Sequence, residues 1–416
     1  MRALWSDRRF ARFWSAGLVF MLATWSLHTT MLIHVFELTG SPFATGLIPV
    51  CAALPGILFG PLAGVVVDRV DRRRVMAICA LALAGLLVIV TPVAMTVGAG
   101  HVALLFAIIA LEAVAVTFFR PAENAVLPRL AGPDRLAPAN ALNALNDSIG
   151  RIAGPAVGSV LLLQVGFAAT LVVCAVLFLV PWALLRGLEI PPAIDEPPVP
   201  DVITDESWLR GAGRDVAAGW RLVRATPVLA MAVAAWGLFH VADVPLSAVL
   251  PAFIIGSLGA GAGGMGSSMP IRGLTGLLGG LLVAAIAGRV APVRLLAVGL
   301  LVYGLSIVTM GLAGSFLVAL LVLIPIGPAS AAIETGLLTL LQRHSPDAVR
   351  GRVFALAGMI NGAITVTASL VGGTLAEGIG VPAVVVISGA LHVLPLILVA
   401  VWLRPALRSR PVADAT

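Results

Sequence analysis

Apolar residues fill this chain in long blocks, and short polar breaks separate them. A bilayer core takes about 20 apolar residues per helix. Twelve blocks reach that length: 13–36, 44–67, 75–97, 102–119, 139–163, 167–185, 228–250, 268–288, 295–313, 316–341, 353–376 and 382–403. The fourth is short, and a glycine-rich run (Gly256, Gly259, Gly261, Gly263, Gly264, Gly266) leads into the eighth. The expected fold class is all-α integral membrane, with twelve transmembrane helices.

The polar breaks carry the orientation. Number the connections from the N-terminus as zero. Every arginine outside the spans then falls on an even-numbered connection, and only Arg151 and Arg272 lie within spans. Strict alternation of this kind is the positive-inside pattern, and it places both termini in the cytoplasm. A missed or extra helix would break it.

Composition changes the picture in what it excludes. The chain is 60% hydrophobic and 11% charged, with a mean hydropathy of +1.07. Lipid must therefore be the solvent for most of its 416 residues. It contains no lysine, which removes a Walker A loop and any Schiff-base chemistry, and with them ATP-driven pumping by this chain alone. The all-arginine, Ala/Val/Gly-rich usage suits a GC-rich bacterial genome, so the expected location is a bacterial inner membrane. A pI near 10.7 suggests nucleic acid, but the arginines sit between apolar spans and not on a soluble basic domain, so no nucleic-acid partner is expected. Cys51, Cys79 and Cys174 fall inside spans and read as small buried hydrophobes, without disulfide or metal spacing. No cleavable signal is evident, because the first apolar block is too long for one and more follow it. Asp68 and Asp71 form an Asp-x-x-Asp pair such as metal–diphosphate enzymes use, but a second acidic cluster is missing and arginines surround this one. No nucleophile–base constellation or zinc motif appears. The expectation is a protein that is not an enzyme and holds no cofactor or metal.

The connection after the sixth span is the longest. Residues 189–207 carry five prolines and six acids with no arginine, which reads as an extended, solvated linker. Residues 208–224 then place Trp208, Ala212, Val216, Trp220 and Val223 on one helical face with Arg210, Arg214, Arg221 and Arg224 off it, an amphipathic helix suited to the cytoplasmic interface. The expected domains are residues 1–186, 187–227 and 228–416: a six-helix bundle, a linker, and a second bundle with a short tail. The halves repeat one another weakly. Leu127-Pro-Arg129 before Pro133-Asp134 recurs as Leu341-Gln-Arg343 before Pro346-Asp347, and Val157-Gly158-Ser159 recurs as Val371-Gly372-Gly373. Such offsets point to a duplicated six-helix unit.

Two motifs carry a resemblance. After the second span stands Gly64-Val-Val-Val-Asp68-Arg69-Val70-Asp71-Arg72-Arg73-Arg74. The fifth span contains Gly150-Arg-Ile-Ala-Gly154-Pro155-Ala-Val-Gly158-Ser159. Together with twelve spans, these resemble the major facilitator superfamily over nearly the whole chain. Gly64, Asp68, Arg69, Arg72 and Arg73 match its loop motif, with Asp71 where glycine is usual. Gly150, Gly154, Pro155 and Gly158 match its antiporter motif, with Ser159 replacing the last glycine. The run Phe118-Phe-Arg120-Pro121-Ala122-Glu123 and the later Gly351-Arg352-Val353-Phe354 look like the drug-efflux branch that contains macrolide and siderophore exporters. The resemblance implies two pseudo-symmetric six-helix bundles and a cytoplasmic gate formed by the loop motif, to which Glu123 is assigned as a partner of the loop arginines. It also implies a secondary transporter whose partners are a small-molecule substrate, protons and the bilayer, working as a monomer. Importers and metabolite exporters share the fold and remain alternatives.

Charges inside spans mark the candidate chemistry, since each costs about 2.5–3.5 kcal/mol at mid-bilayer. These are Glu112, Asp147, Arg151, Asp243, Arg272 and Glu334. Asn140, Asn143, Asp147, Arg151, Gly154 and Gly158 follow one another at steps of three and four, so they share one helical face. Asp147 and Arg151 are one turn apart and can pair. Glu112 has no basic residue within a turn, and desolvation disfavours its charged form, which suits a group that binds and releases a proton. Asp243 and Glu334 are the corresponding candidates in the second half. For each acid the alternative is a satisfied interhelical hydrogen bond. His28, His34, His240 and His392 make no metal spacing; His28 and His240 hold corresponding positions in the first helix of each half, where lining a cavity is the alternative, and each reads first as a polar packing residue.

Overall fold

In the computed structural model, residues 4, 6–96, 102–132, 135–190, 220–345 and 347–406 are described. Their secondary structure is helical: α1 (Arg8–Thr39), α2 (Pro42–Arg69), α3 (Arg72–Thr96), α4 (Val102–Ala131), α5 (Leu136–Leu185), α6 (Pro227–Pro251), α7 (Gly261–Ile286), α8 (Pro292–Gly311), α9 (Phe316–His344), α10 (Asp347–Ile379), α11 (Val381–Leu391) and α12 (Val393–Ala406). A six-residue π turn, Ala252–Ser257, follows α6. The linker at 191–219, Pro133-Asp134, Pro346 and the tail beyond Ala406 lie outside the described residues, as does the amphipathic segment up to Trp220.

The helices start where the sequence supplies starts. Ser41 caps α2 by accepting from the Ala44 N–H at 3.2 Å, with Pro42 in the first turn. Pro227 and Pro292 open α6 and α8 in the same position, where a missing N–H costs nothing. Asp7 caps α1 by accepting from the Arg9 N–H at 2.9 Å. Burial works against the Asp7 charge, but the backbone, charge and side chain of Arg9 outweigh it and hold its pKa below the usual value. Asp71 does related work ahead of α3. Its carboxylate accepts from the Arg73 N–H at 3.0 Å, so the departure from glycine in the loop motif supplies a helix cap.

Eleven stretches among the described residues are long and apolar enough to cross a membrane. One joins α11 and α12 as Val381–Trp402, interrupted at His392. Another runs 48 residues, Pro138–Leu185, which as one straight helix would measure about 72 Å against a hydrocarbon core of about 30 Å. It is not continuous. Gly166 inside it takes φ 79°, ψ 175°, a conformation open in practice to glycine alone. The two segments on either side are each long enough to span.

Contacts divide the chain into two compact units. One is Met1–Pro200 with Ile254–Gly273, and the other is Asp201–Phe253 with Leu274–Thr416. In the first, α1 and α3 pack on α5, and α2 packs on α4. Its core includes Phe10, Phe13, Phe20, Phe119 and Phe178, all without exposure. In the second, α8 packs on α9 and α11, and α6 on α10.

Candidate functional site

The glycine face of α5 is a packing face, turned to α1. A Cβ on Gly150 would lie 2.8 Å from Met21 Cβ, and one on Gly158 would lie 3.0 Å from Ser26 C and Cα and closer still to the Ser26 carbonyl oxygen. Both positions, and Gly154 between them, admit only a hydrogen. The approach is locked by side chains. Ser26 donates to the Gly154 carbonyl at 2.9 Å and Thr30 to the Gly158 carbonyl at 3.4 Å. Lower on the same pair of helices, the Trp14 indole donates to the Leu142 carbonyl at 2.8 Å and Asn146 to the Trp14 carbonyl at 3.0 Å.

The opposite side of α1 meets α4, and here the structure brings acids and bases together. Glu112 is fully buried, and its Oε2 lies 3.1 Å from His28 Nε2. Among the described residues this imidazole is the one polar group found against the Glu112 carboxylate. The arrangement sets a carboxyl and an imidazole face to face, two groups that can each carry a proton. His28 is therefore a partner for Glu112 and not the isolated packing residue expected from the sequence.

Three turns further along α4, the buried Glu123 pairs with Arg120 at 3.0 Å. The same guanidinium also holds Asp147 of α5. Glu123 thus pairs within its own helix, where the sequence pointed to the loop arginines. In the sequence Arg120 stands out only within the run 118–123 and as an orientation charge. Its place three residues before Glu123 was a signal for this pair. Arg151 is exposed one turn above Asp147 on α5, and Arg272 is half-buried on α7.

The loop motif is spread along the end of α2 and the start of α3. Arg69 is exposed, Arg72 and Arg73 are half-buried, and Gly64 has no neighbour within 4 Å of a notional Cβ. The Asp68 side chain lies outside the described residues. Arg73 donates to the Leu188 carbonyl at 3.3 Å and Arg12 to the Arg186 carbonyl at 3.2 Å, so both tie down the exit of α5.

In the second unit, Asp243 on α6 accepts from the Tyr303 hydroxyl on α8 at 2.6 Å. His392 is buried beside them, 5.0 Å from the Tyr303 ring between centroids. His240 contacts Trp236 of its own helix, and its Nδ1 lies 2.9 Å from the Trp236 carbonyl. Glu334 is exposed on α9. No group of three or more metal-ligating side chains occurs among the described residues.

Residues 13–364 and 237–415 match the family model described as Major Facilitator Superfamily. The chain is 26% identical over 378 residues to YfiS, an uncharacterised transporter of this type from Bacillus subtilis, covering 87% of this chain and 85% of that one. It is 28% identical over 153 residues to Macrolide efflux protein A of Streptococcus pyogenes, covering 37% of this chain and 38% of that protein. A match to YkuC of B. subtilis, 27% identical, covers 47% of this chain and 45% of that one; the chain thus spans less than half the length of YkuC and of the macrolide efflux protein. Among solved structures, the nucleoside transporter NupG superposes with a TM-score of 0.73 at 16% identity, covering 96% of this chain and 99% of that one. A bacterial homologue of the lysosomal transporter Spinster gives 0.72 at 15%, covering 98% and 99%. These two likenesses establish the fold.

Proposed function

The chain belongs to the major facilitator superfamily, and from that premise we propose that it is a secondary transporter exchanging protons for a lipophilic or amphipathic small molecule, which it exports. The observation that carries the coupling is the His28–Glu112 pair, a half-buried base 3.1 Å from a fully buried acid. Such a pair can take up a proton in one state of access and release it in the other. The electrical part of the driving force is about 2.3 kcal/mol per charge per 100 mV, enough for uphill movement of one molecule per proton or two.

Export is favoured by the helix 5 motif Gly150, Gly154, Pro155, Gly158 and by the partial likeness to a protein named for macrolide efflux. Asp147, Asp243 and Glu334 are further coupling candidates, with Arg151 and Arg272 as charge partners. Gly64, Asp68, Arg69, Arg72, Arg73 and Glu123 form the proposed cytoplasmic gate. In this reading the segments of α5 on either side of Gly166 are two spans. That gives twelve, arranged as six-helix bundles over residues 1–186 and 228–416 about a linker at 187–227. Both termini then lie in the cytoplasm of a bacterial inner membrane, and the chain acts as a monomer.

The test is transport in everted vesicles carrying an inward-acid pH gradient, followed with a pH-sensitive dye during addition of macrolides and siderophores. Chain-dependent collapse of the gradient, lost in Glu112→Gln, is the expected result. A well-folded chain that responds to no compound would remove drug and siderophore export and put metabolite export or uptake in its place.

A further inference from the structure

Glu112 and Glu123 are 11 residues apart on α4, three helical turns, so they share one face with about 16 Å between them along the axis. The facing residues on α1 repeat the spacing in reverse. His28 meets Glu112, and Gly17, 11 residues earlier, makes room for the Glu123 carboxylate, which a Cβ there would strike. Thr24, on the same face of α1 between them, has a buried hydroxyl oxygen with no hydrogen-bond partner. Below it, Phe119 lies on the line joining the two acids and stacks on Phe20 with centroids 3.7 Å apart and planes 3° from parallel.

The lower acid is built unlike a simple ion pair. One guanidinium, Arg120, is shared between two carboxylates, Glu123 and Asp147. Glu123 is wholly buried, and its Oε1 has no partner, whereas Asp147 and Arg120 are 34% and 28% exposed. A proton arriving at Asp147 from the open side can neutralise the group by settling on the buried carboxylate. The other elements packed on α4 add little charge at this depth. From α1 come His28, at the level of Glu112, and Arg12, five residues before Gly17, which donates to the Arg186 carbonyl; from α5 come Asp147 and, a turn away, Arg151; α4 itself adds Arg129. Within their apolar lengths α2 and α3 carry only Cys51 and Cys79, with Asp68, Arg69, Arg72, Arg73 and Arg74 at their joined ends.

We propose that Glu123, held with Asp147 on the single guanidinium of Arg120, is a second proton-binding station, and that protons pass between it and Glu112 along the α1–α4 interface. This rests on the reading of His28–Glu112 as the coupling pair. Thr24 supplies a hydroxyl that can accept and donate on the way. The Phe20–Phe119 stack is the barrier that keeps the two stations from equilibrating freely. Each transfer moves one proton and leaves a carboxylate behind, so charge balances at every step.

The test is time-resolved infrared spectroscopy of the full chain in lipid nanodiscs after an acid pH jump, reading the protonated-carboxyl band. Glu112→Gln and Glu123→Gln assign the two contributions. In Glu123→Gln the Glu112 band should rise about tenfold more slowly or worse, the effect of roughly 1.4 kcal/mol added to the barrier. In Phe119→Leu, which keeps an apolar side chain but removes the stack, it should rise faster than in the unaltered chain. An unchanged Glu112 rate in both variants would overturn the two-station path while leaving Glu112 as the coupling acid. Absence of any Glu112 band at every pH would overturn the underlying reading, and the path with it.

Discussion

Gly158→Ala isolates what the motif on α5 does. Alanine is the better helix former by about 1 kcal/mol, so a position that were merely helical would gain from the change. Here the new Cβ would sit 3.0 Å from Ser26 C and Cα, against an ordinary carbon contact of about 3.5–4.0 Å. The neighbours are backbone and cannot swing aside, so α1 and α5 must part by about 0.5–1 Å. Overpacking of this kind costs about 1–3 kcal/mol. The separation also stretches the hydrogen bonds from Ser26 and Thr30 to the Gly154 and Gly158 carbonyls, at roughly 0.6 kcal/mol each in a membrane. The net expectation is a loss of about 2 kcal/mol. The control is Gly85→Ala on α3, where a Cβ meets nothing within 4 Å; it should be neutral or stabilised by up to about 1 kcal/mol. The chain carries its own reporter, because Cys79 and Cys174 are buried and Cys51 is half-buried. A thiol-reactive dye will therefore light up on thermal unfolding. If Gly158→Ala melts at or above the unaltered chain, or Gly85→Ala melts as early as Gly158→Ala, the packing argument is wrong.

Two further outcomes follow from the charge and hydrogen-bond geometry, both read in the same melt. Arg120→Ala strands the carboxylates of Glu123 and Asp147 and should cost about 3–5 kcal/mol; adding Glu123→Gln and Asp147→Asn in the same chain should restore most of it, and failure of that rescue would mean Arg120 acts through packing alone. Tyr303→Phe removes the 2.6 Å donor to Asp243 and should cost about 1–3 kcal/mol, with no further loss when Asp243→Asn is added.

The spans were legible because lipid accepts apolar side chains all around a helix, so block length alone marks them. The break at Gly166 falls in the gap left between the fifth and sixth blocks, 164–166. Pairing between helices is a different kind of information. Glu112 was legible as a charge in an apolar block, but nothing in the order of residues says that α4 lies against α1 with His28 at its level. Glu123 and Arg120 are neighbours in sequence and were separable only by a choice of partner. The loop motif suggested one partner, whereas helical spacing of three residues supplied a nearer one. Asp71 shows a complementary case: the residue that departs from the family's glycine accepts from the Arg73 N–H at the start of α3.

The glycine motif and the His28–Glu112 pair are one construction. Ser26 and Thr30 turn toward α5 and hydrogen-bond to its carbonyls, while His28, between them in sequence and about 200° around the helix from each, turns toward Glu112. The depth at which α1 sits against α5 therefore fixes the distance at which His28 meets α4. Any residue larger than glycine at 154 or 158 pushes α1 away from α5, and a shift of about 0.5–1 Å on a contact of 3.1 Å is enough to change whether the imidazole and the carboxyl share a proton. On this argument the motif serves the proposed proton exchange without touching a proton: it holds the helix that carries the base.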